Sequence, residues 1–225
     1  MKKTIIITLG LLVLVSLLNA NAIAMLIGSK GNVSLSRASK AIKMQKGELL
    51  MNNDVLRTGE ESFAAYRYVD AKSTIKMFSN SVSTLSAEQV DKAMNKTLTV
   101  SKGSVLTNVV KGGGTFRVNT PSTVASVKGT EFLTKVEEDG STMFIVNEGE
   151  IEVRARATDE VASVAKGKTA LIGSAGDIEL RDSTPEDLSQ TEQEELDAMQ
   201  SEESHMIRIP VLDKNGNLKY IEISY

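Results

Sequence analysis

Residues 115–132 read TFRVNTPSTVASVKGTEF and combine strand and turn signals that recur through much of the chain. In Thr115-Phe116-Arg117-Val118 apolar and polar side chains alternate. A period of two is typical of a strand with one buried face and one solvated face. Pro121 holds Thr120 in extended backbone, and Gly129 can supply a positive φ at a tight connection. The stretch therefore predicts short strands joined by tight turns.

The same pattern recurs from Asn32 to Arg181. Alternating runs occur at 97–100, 144–146 and 150–153, and turn signals divide the runs. Turn signals that recur about every 8–12 residues are typical of all-β sandwiches, barrels and solenoids. We expect an all-β domain of repeated short strands, most simply a solenoid-like β-domain, with a β-sandwich as the alternative.

The amino terminus has the three parts of a secretory signal peptide. Lys2 and Lys3 precede an uncharged apolar run that ends near Leu18, and Ala22-Ile23-Ala24 places small residues one apart. We expect a signal peptide over residues 1–24, cut after Ala24, with Ala22 as the second choice. An uncleaved anchor is the alternative, although the apolar run is shorter than the ~20 residues of a spanning helix. The protein is thus expected to be exported, periplasmic or secreted, and not an integral membrane protein after cleavage.

Composition argues against several classes of function. The 225 residues include no cysteine and one histidine, His205, so disulfides, thiolate metal sites and multi-histidine sites are excluded. The net charge of -3 does not suit a nucleic-acid-binding protein. Gly112-Gly113-Gly114 lacks the Lys-Ser/Thr of a phosphate-binding loop. We expect no metal, no cofactor and no nucleic acid, and a binding or structural role rather than catalysis.

The composition changes after Arg181. Asp182 to His205 contains nine acidic residues and no lysine or arginine. Thr184-Pro185-Glu186-Asp187 resembles a helix start, because threonine caps, proline suits the first helical position and acids favour the helix dipole. Beyond it, Asn215-Gly216 between apolar runs predicts a terminal hairpin. The predicted units are a β-domain at 25–181, an acidic helical segment at 182–205 that the core does not require, and a hairpin at 206–225.

Several motifs between Gly28 and Ile172 resemble those of the FecR domain family. The resemblance rests on six motifs in family-like order, with Lys128 where the family more often has arginine. The family-like positions are Arg57, Thr58, Gly59, Thr120, Pro121, Lys128, Gly129, Thr130, Glu148, Gly149 and Gly167. We interpret these residues as structural, since threonine hydroxyls can bind local backbone and glycines can take positive φ at Gly59, Gly103, Gly129, Gly149 and Gly167.

The resemblance implies a non-catalytic extracytoplasmic module that binds an envelope protein or an envelope polysaccharide. Well-known members are transmembrane regulators with a cytoplasmic sigma-binding region. Only Met1 to Lys3 precede the apolar run, so we expect a secreted member, with sigma-linked envelope signalling as an alternative. A second alternative is a polysaccharide-processing β-solenoid enzyme, because Glu148, Glu150 and Glu152 alternate and are expected on one strand face.

Overall fold

The described part of the protein consists mostly of β-strands. The computed structural model describes residues 22–45, 47–189 and 192–194, together with the backbone of 206–212 and 218–224. The strands of the main unit are β1 (Ala24–Lys30), β2 (Val33–Arg37), β3 (Lys40–Ile42), β4 (Leu49–Leu50), β5 (Asp54–Thr58), β6 (Phe63–Tyr68), β7 (Ser73–Met77), β8 (Val82–Val90), β9 (Ala93–Val109), β10 (Phe116–Asn119), β11 (Thr123–Val127), β12 (Glu131–Val136), β13 (Thr142–Glu148), β14 (Glu150–Ala155), β15 (Val161–Ala165), β16 (Lys168–Ile172) and β17 (Ile178–Asp182). The all-β expectation is confirmed.

Hydrogen bonds divide these strands into two ladders. Ladder A has the spatial order β4-β1-β6-β7-β9-β12-β13-β16-β17. Ladder B has the order β3-β2-β5-β8-β9-β10-β11-β14-β15. Because β9 belongs to both, the 17 strands form one hydrogen-bonded network.

Strand β9 passes from one ladder to the other in its middle. It is 17 residues long, and its buried side chains change phase around residues 101–103. An irregularity in the β8–β9 register leaves Ser101 unpaired, since Val82 pairs with Lys102 and Ser83 with Val100. One extra residue bends a strand and increases its twist. Gly103 then takes φ +81, and both halves of β9 turn their apolar side chains towards the same interior.

The two ladders pack against each other around one apolar core. Leu26, Tyr66 and Phe144 come from ladder A and Leu56 and Leu98 from ladder B, and all five are fully buried. Contacts cross the interior directly. The Ser83 hydroxyl lies 3.1 Å from the Met77 sulfur, and the Tyr68 and Phe116 ring centroids are 6.2 Å apart in an edge-to-face arrangement.

The strand pairing refines the expected architecture. Every pairing in the main unit is antiparallel except β9 with β10. Coils of a β-solenoid stack through parallel strands, whereas antiparallel ladders on two sides of a core are typical of a sandwich. The described strands therefore resemble the β-sandwich alternative more closely than a stack of parallel coils.

A strap formed by residues 184–189 and 192–194 lies on the outer face of ladder A. That face carries a second apolar cluster of Phe63, Phe78, Leu133 and Ile145, and Leu188 packs against it. Asp187 anchors the strap because it accepts bonds from the Arg181 guanidinium and, at 2.8 Å, from the Thr169 hydroxyl. A cut at the predicted boundary after Arg181 would separate this ion pair. The boundary itself stays a prediction.

A short helical turn begins at the predicted helix start, and a second helical stretch lies further along the strap. Pro185–Asp187 form a single 3-10 turn, and helical backbone is seen at residues 192–194. Ser189 and Glu192 make a capping box: the Glu192 carboxylate accepts from the Ser189 amide at 2.8 Å, and the Ser189 hydroxyl accepts from the Glu192 amide at 3.2 Å. Glu192 is buried, and its carboxylate also accepts from the Ser104 hydroxyl. The rest of the predicted acidic segment, residues 190–191 and 195–205, lies outside the described residues.

The carboxyl terminus contains a separate two-stranded sheet. Strand β18 (Met206–Leu212) pairs antiparallel with β19 (Leu218–Ser224), and Leu212 is opposite Leu218. This is the pairing expected of the predicted hairpin, although its Asn215-Gly216 turn lies outside the described residues. Within the part of the chain that the structure describes, no helix is long and apolar enough to cross a membrane.

Asp187 predicts an acid-sensitive contribution to stability. The bond from Arg181, with further bonds from the Thr184 amide and the Thr169 hydroxyl, lowers the pKa of Asp187 from 3.8 to about 2. A carboxyl with a lowered pKa stabilises the fold above its unfolded pKa and loses that contribution as pH falls through its folded pKa. Asp187→Asn should therefore lower the melting temperature at pH 6 and remove part of the decline that wild type shows between about pH 4 and about pH 2.

Thermal melts of wild type, Asp187→Asn and Asp159→Asn across that range make the comparison. Asp159 is an exposed control whose nearest cation, Arg154, is 4.0 Å away. An identical acid profile for wild type and Asp187→Asn would contradict the role given to the strap.

Candidate functional site

The family-like residues lie mainly where the chain crosses between ladders. The chain makes a hairpin in one ladder and then passes to the other through a short link. Of the links, 59–62 follows β5, 128–130 follows β11, Gly149 alone joins β13 to β14, and 166–167 follows β15. Gly59, Gly129, Gly149 and Gly167 each occupy one of them. The motifs therefore lie where the chain passes from one ladder to the other.

Three of these links are stacked at one end of the sandwich. The Thr130 hydroxyl donates to the Glu150 carbonyl at 2.9 Å, which ties the β11–β12 link to the β13–β14 link. The Lys166 amide donates to the Gly149 carbonyl at 2.9 Å, which adds the β15–β16 link. Lys128, Gly129 and Thr130 are therefore brought together with Glu148, Gly149 and Gly167, which the sequence alone did not establish.

The stacking leaves no room for a side chain at Gly149. Its φ is +80, and a Cβ there would lie 2.6 Å from the Gly129 carbonyl oxygen. Gly167 has φ +75 but open space around it, so only its backbone conformation demands glycine. Gly129, at φ +69, faces the Lys111 side chain.

The Arg57-Thr58-Gly59 motif lies at a different link and corrects two expectations. The Thr58 hydroxyl donates to the Phe78 carbonyl and accepts from the Ser81 amide at 2.9 Å, so it binds the next link rather than its own backbone. Gly59 does not have a positive φ. It lies close to Asn32, whose carbonyl accepts the Gly59 amide at 2.8 Å. Arg57 is exposed and donates to the Ser36 hydroxyl.

Thr120-Pro121 forms the turn between β10 and β11. The buried Thr120 hydroxyl lies 2.8 Å from the Thr142 hydroxyl, which in turn accepts from Ser122 at 2.8 Å. The Arg156 guanidinium donates to the Thr120 carbonyl at 2.9 Å. Pro121 itself is exposed. This motif therefore fastens the turn to β13 and to the loop after β14, a structural role.

The motifs also border a groove on the outer face of ladder B. We call it the motif groove: it is lined by β11, β14 and β15, has a volume of about 450 Å³, and its polar residues are Ser126, Lys128, Glu150, Glu152 and Ser163. The Ser163 hydroxyl donates to the Glu150 carboxylate. Lys128 is exposed, and none of the described side chains is seen to bond to its amine.

We expected the three glutamates on one strand face, but they lie on two strands in different ladders. Glu148 ends β13 in ladder A, whereas Glu150 and Glu152 lie on β14 in ladder B. The crossing at Gly149 separates them. Only Glu150 and Glu152 line the motif groove.

A second groove lies beside the first on the same face. This amide groove, with a volume of about 520 Å³, is bordered by the loop before β5 and by β8, β9 and β10. Asn52, Asn95 and Arg117 line it. Arg117 is opposite Ser126 of the motif groove across the β10–β11 pair, so the grooves adjoin. This site was not predicted from the sequence, although Thr97 and Arg117, at outward positions of the alternating runs, point to it.

Metal chemistry has no support at either groove. Within the described residues, no group of three or more histidine, cysteine, aspartate or glutamate side chains is placed to hold a metal ion. What the face offers is hydroxyl, amide and separated charged groups on a rigid sheet. Such a surface can bind a polar partner.

A family model described as FecR protein matches residues 54–152. The matched range runs from the first residue of β5 into β14 and includes the stacked links at Gly129 and Gly149. Residues 54–152 thus match a FecR domain. The match confirms the resemblance drawn from the motifs.

Two solved structures similar to this chain agree on the fold. Two crystal structures of a protein from Parabacteroides distasonis ATCC 8503, described as a candidate anti-sigma factor, align with a TM-score of 0.50 and 16% identity. The alignments cover 76% and 75% of this chain and 84% and 83% of the other. At this identity the likeness shows a shared fold. No curated protein was found to match the chain.

The two stacked glycines predict a measurable difference. Gly167→Ala should lower the free energy of unfolding by about 1–2 kcal/mol, because only the left-handed backbone conformation is strained. Gly149→Ala should cost more than about 3 kcal/mol, because the added Cβ also collides with the backbone of the neighbouring link. Urea unfolding of both variants measures the two losses. Equal losses would contradict the stacking of the links.

Proposed function

We propose that this protein is a non-catalytic binding module of cell-envelope signalling, exported from the cytoplasm, that recognises its partner with the outer face of ladder B. The observation that carries the proposal is the continuous polar face with two adjoining grooves, built on a FecR domain. The sheet beneath is held by the core and the stacked links. A rigid sheet presenting polar side chains is suited to recognition, since little order must be imposed on binding.

The charges of the face support binding rather than glycoside hydrolysis. Canonical glycosidases place two carboxyl groups on opposite sides of a scissile bond. Glu150 and Glu152 are instead neighbours on one side of the same strand, and Glu150 already accepts from Ser163. This favours the non-catalytic interpretation over the polysaccharide-processing alternative.

The contacts of Ile23 favour cleavage of the signal peptide before this residue. Ile23 is buried, its amide donates to the Leu50 carbonyl at 2.9 Å, and its carbonyl accepts from the Val69 amide at 3.0 Å. Cleavage after Ala24 would remove Ile23 and the first residue of β1. Cleavage after Ala22 keeps both, and Ala20 and Ala22 also provide small residues one apart. We therefore favour Ala22, the second choice of the sequence analysis.

Site-specific photo-crosslinking in cells tests the proposal. A photoreactive residue at Ser126, in the motif groove, should capture an envelope component, and the same residue at the exposed Arg67 of ladder A should not. Lys128→Glu should reduce capture from Ser126 several-fold, because it reverses an exposed charge at the groove. The intact mass of the exported protein should be that of a chain that begins at Ile23.

Three results would contradict the proposal. Equal capture from Ser126 and Arg67 would show that the face has no special role. Retention of the protein in the cytoplasm would remove the envelope assignment. Release of reducing ends from envelope polysaccharide, abolished by Glu152→Gln, would make the protein an enzyme.

A further inference from the structure

The asparagines of the amide groove have a fixed orientation. The Asn52 side-chain oxygen accepts from the Ala87 amide at 3.0 Å, and the Asn95 side-chain oxygen accepts from the Thr115 amide at 3.0 Å. A backbone amide can only donate, so each oxygen is engaged and each side-chain NH₂ is left to face a ligand. The groove therefore presents at least two amide donors in set positions.

Arg117 adds a cation to these donors. Its side chain is exposed on β10, and none of the described side chains is seen to bond to its guanidinium. Lys96, the other cation at the groove, is already engaged: its amine lies 2.5 Å from the Asp70 carboxylate and 3.1 Å from the Gly113 carbonyl. Arg117 is thus the cation that the groove offers to a ligand. A guanidinium can bind a carboxylate through two parallel hydrogen bonds.

The remaining groups accept as well as donate. Ser86 and Thr97 carry hydroxyls on neighbouring strands, and Glu88 supplies a carboxylate that is separated from Arg117 by β9. The complementary ligand has acceptors such as carboxylates near Arg117 and hydroxyl donors near Glu88. Sugar units with a carboxylate satisfy both requirements.

The groove is poorly suited to a peptide. The centres of protein interfaces are enriched in aromatic residues and methionine, whereas the apolar residue lining this groove is Ala87. The amide and motif grooves adjoin across Arg117 and Ser126, so a track crosses several strands. An extended chain fits a track better than a small molecule does.

We propose that the amide groove binds an acidic polysaccharide chain, with Asn52 and Asn95 donating to its acceptor oxygens and Arg117 pairing with a uronic-acid carboxylate. This inference rests on the proposed function and names the class of partner for the same face.

Titration of the exported protein with a galacturonic acid hexamer, followed by calorimetry, tests the proposal. Asn95→Asp keeps an acceptor for the Thr115 amide and replaces the NH₂ donor with an oxygen. It should weaken binding at least ten-fold, and Arg117→Gln should do the same. Arg154→Gln is the matched control, because Arg154 is exposed on β14 outside the amide groove, and it should change affinity less than two-fold. A neutral glucose hexamer should bind at least ten-fold more weakly than the acidic one.

Circular dichroism melts confirm that each variant is folded. Undiminished binding by Asn95→Asp and Arg117→Gln would overturn the proposal, as would equal binding of neutral and acidic hexamers or no binding of the acidic one. If the Ser126 crosslinker captures a protein while the acidic hexamer fails to bind, this inference fails and the proposed function stands. If neither experiment gives a specific partner, both fail.

Discussion

Strand β9 crosses from ladder B to ladder A, and this crossing joins the two ladders in one hydrogen-bonded network. Its first half pairs with β8 and β10, and its second half pairs with β7 and β12. The unpaired Ser101 and the positive φ of Gly103 allow both halves to face one interior. A Cβ at Gly103 would lie 2.6 Å from the Ser81 Cα, so the crossing fits closely against the link between β7 and β8.

Crossings between the two ladders recur along the chain and are formed by different residues. Each link connects a strand of one ladder to a strand of the other. The hydroxyls of Thr58 and Thr130 hydrogen-bond their links to the next link. Because the chain passes between the ladders in these links, the strands of ladder B can present an uninterrupted outer face. The family-like motifs thus support the candidate site from its edge, while the residues proposed to touch a ligand, such as Asn95 and Arg117, lie on the strands.

Local patterns predicted local features of this protein. Alternation at 97–100 and 115–118 identified strands, and the FecR motifs identified the domain, because both signals depend on neighbouring residues. The pairing of the two ladders, the orientation of Asn52 and the placement of Glu148 apart from Glu150 were not predictable, because they depend on contacts between distant residues. The Thr184-Pro185 pattern predicted the helical turn at Pro185–Asp187, whereas the Ser189–Glu192 capping box, although visible in the sequence, was not predicted.

Native-state hydrogen exchange along β9 measures whether the two ladders unfold as one unit. If one strand couples both ladders, the amides of Leu98 in ladder B and Thr107 in ladder A should open together, with free energies that agree within about 1 kcal/mol. Gly103→Ala should lower both values by the same amount, since the residue lies between them. Protection that is lost at Thr107 while it is retained at Leu98 would show that the ladders unfold separately, and would contradict the central role given to the crossing.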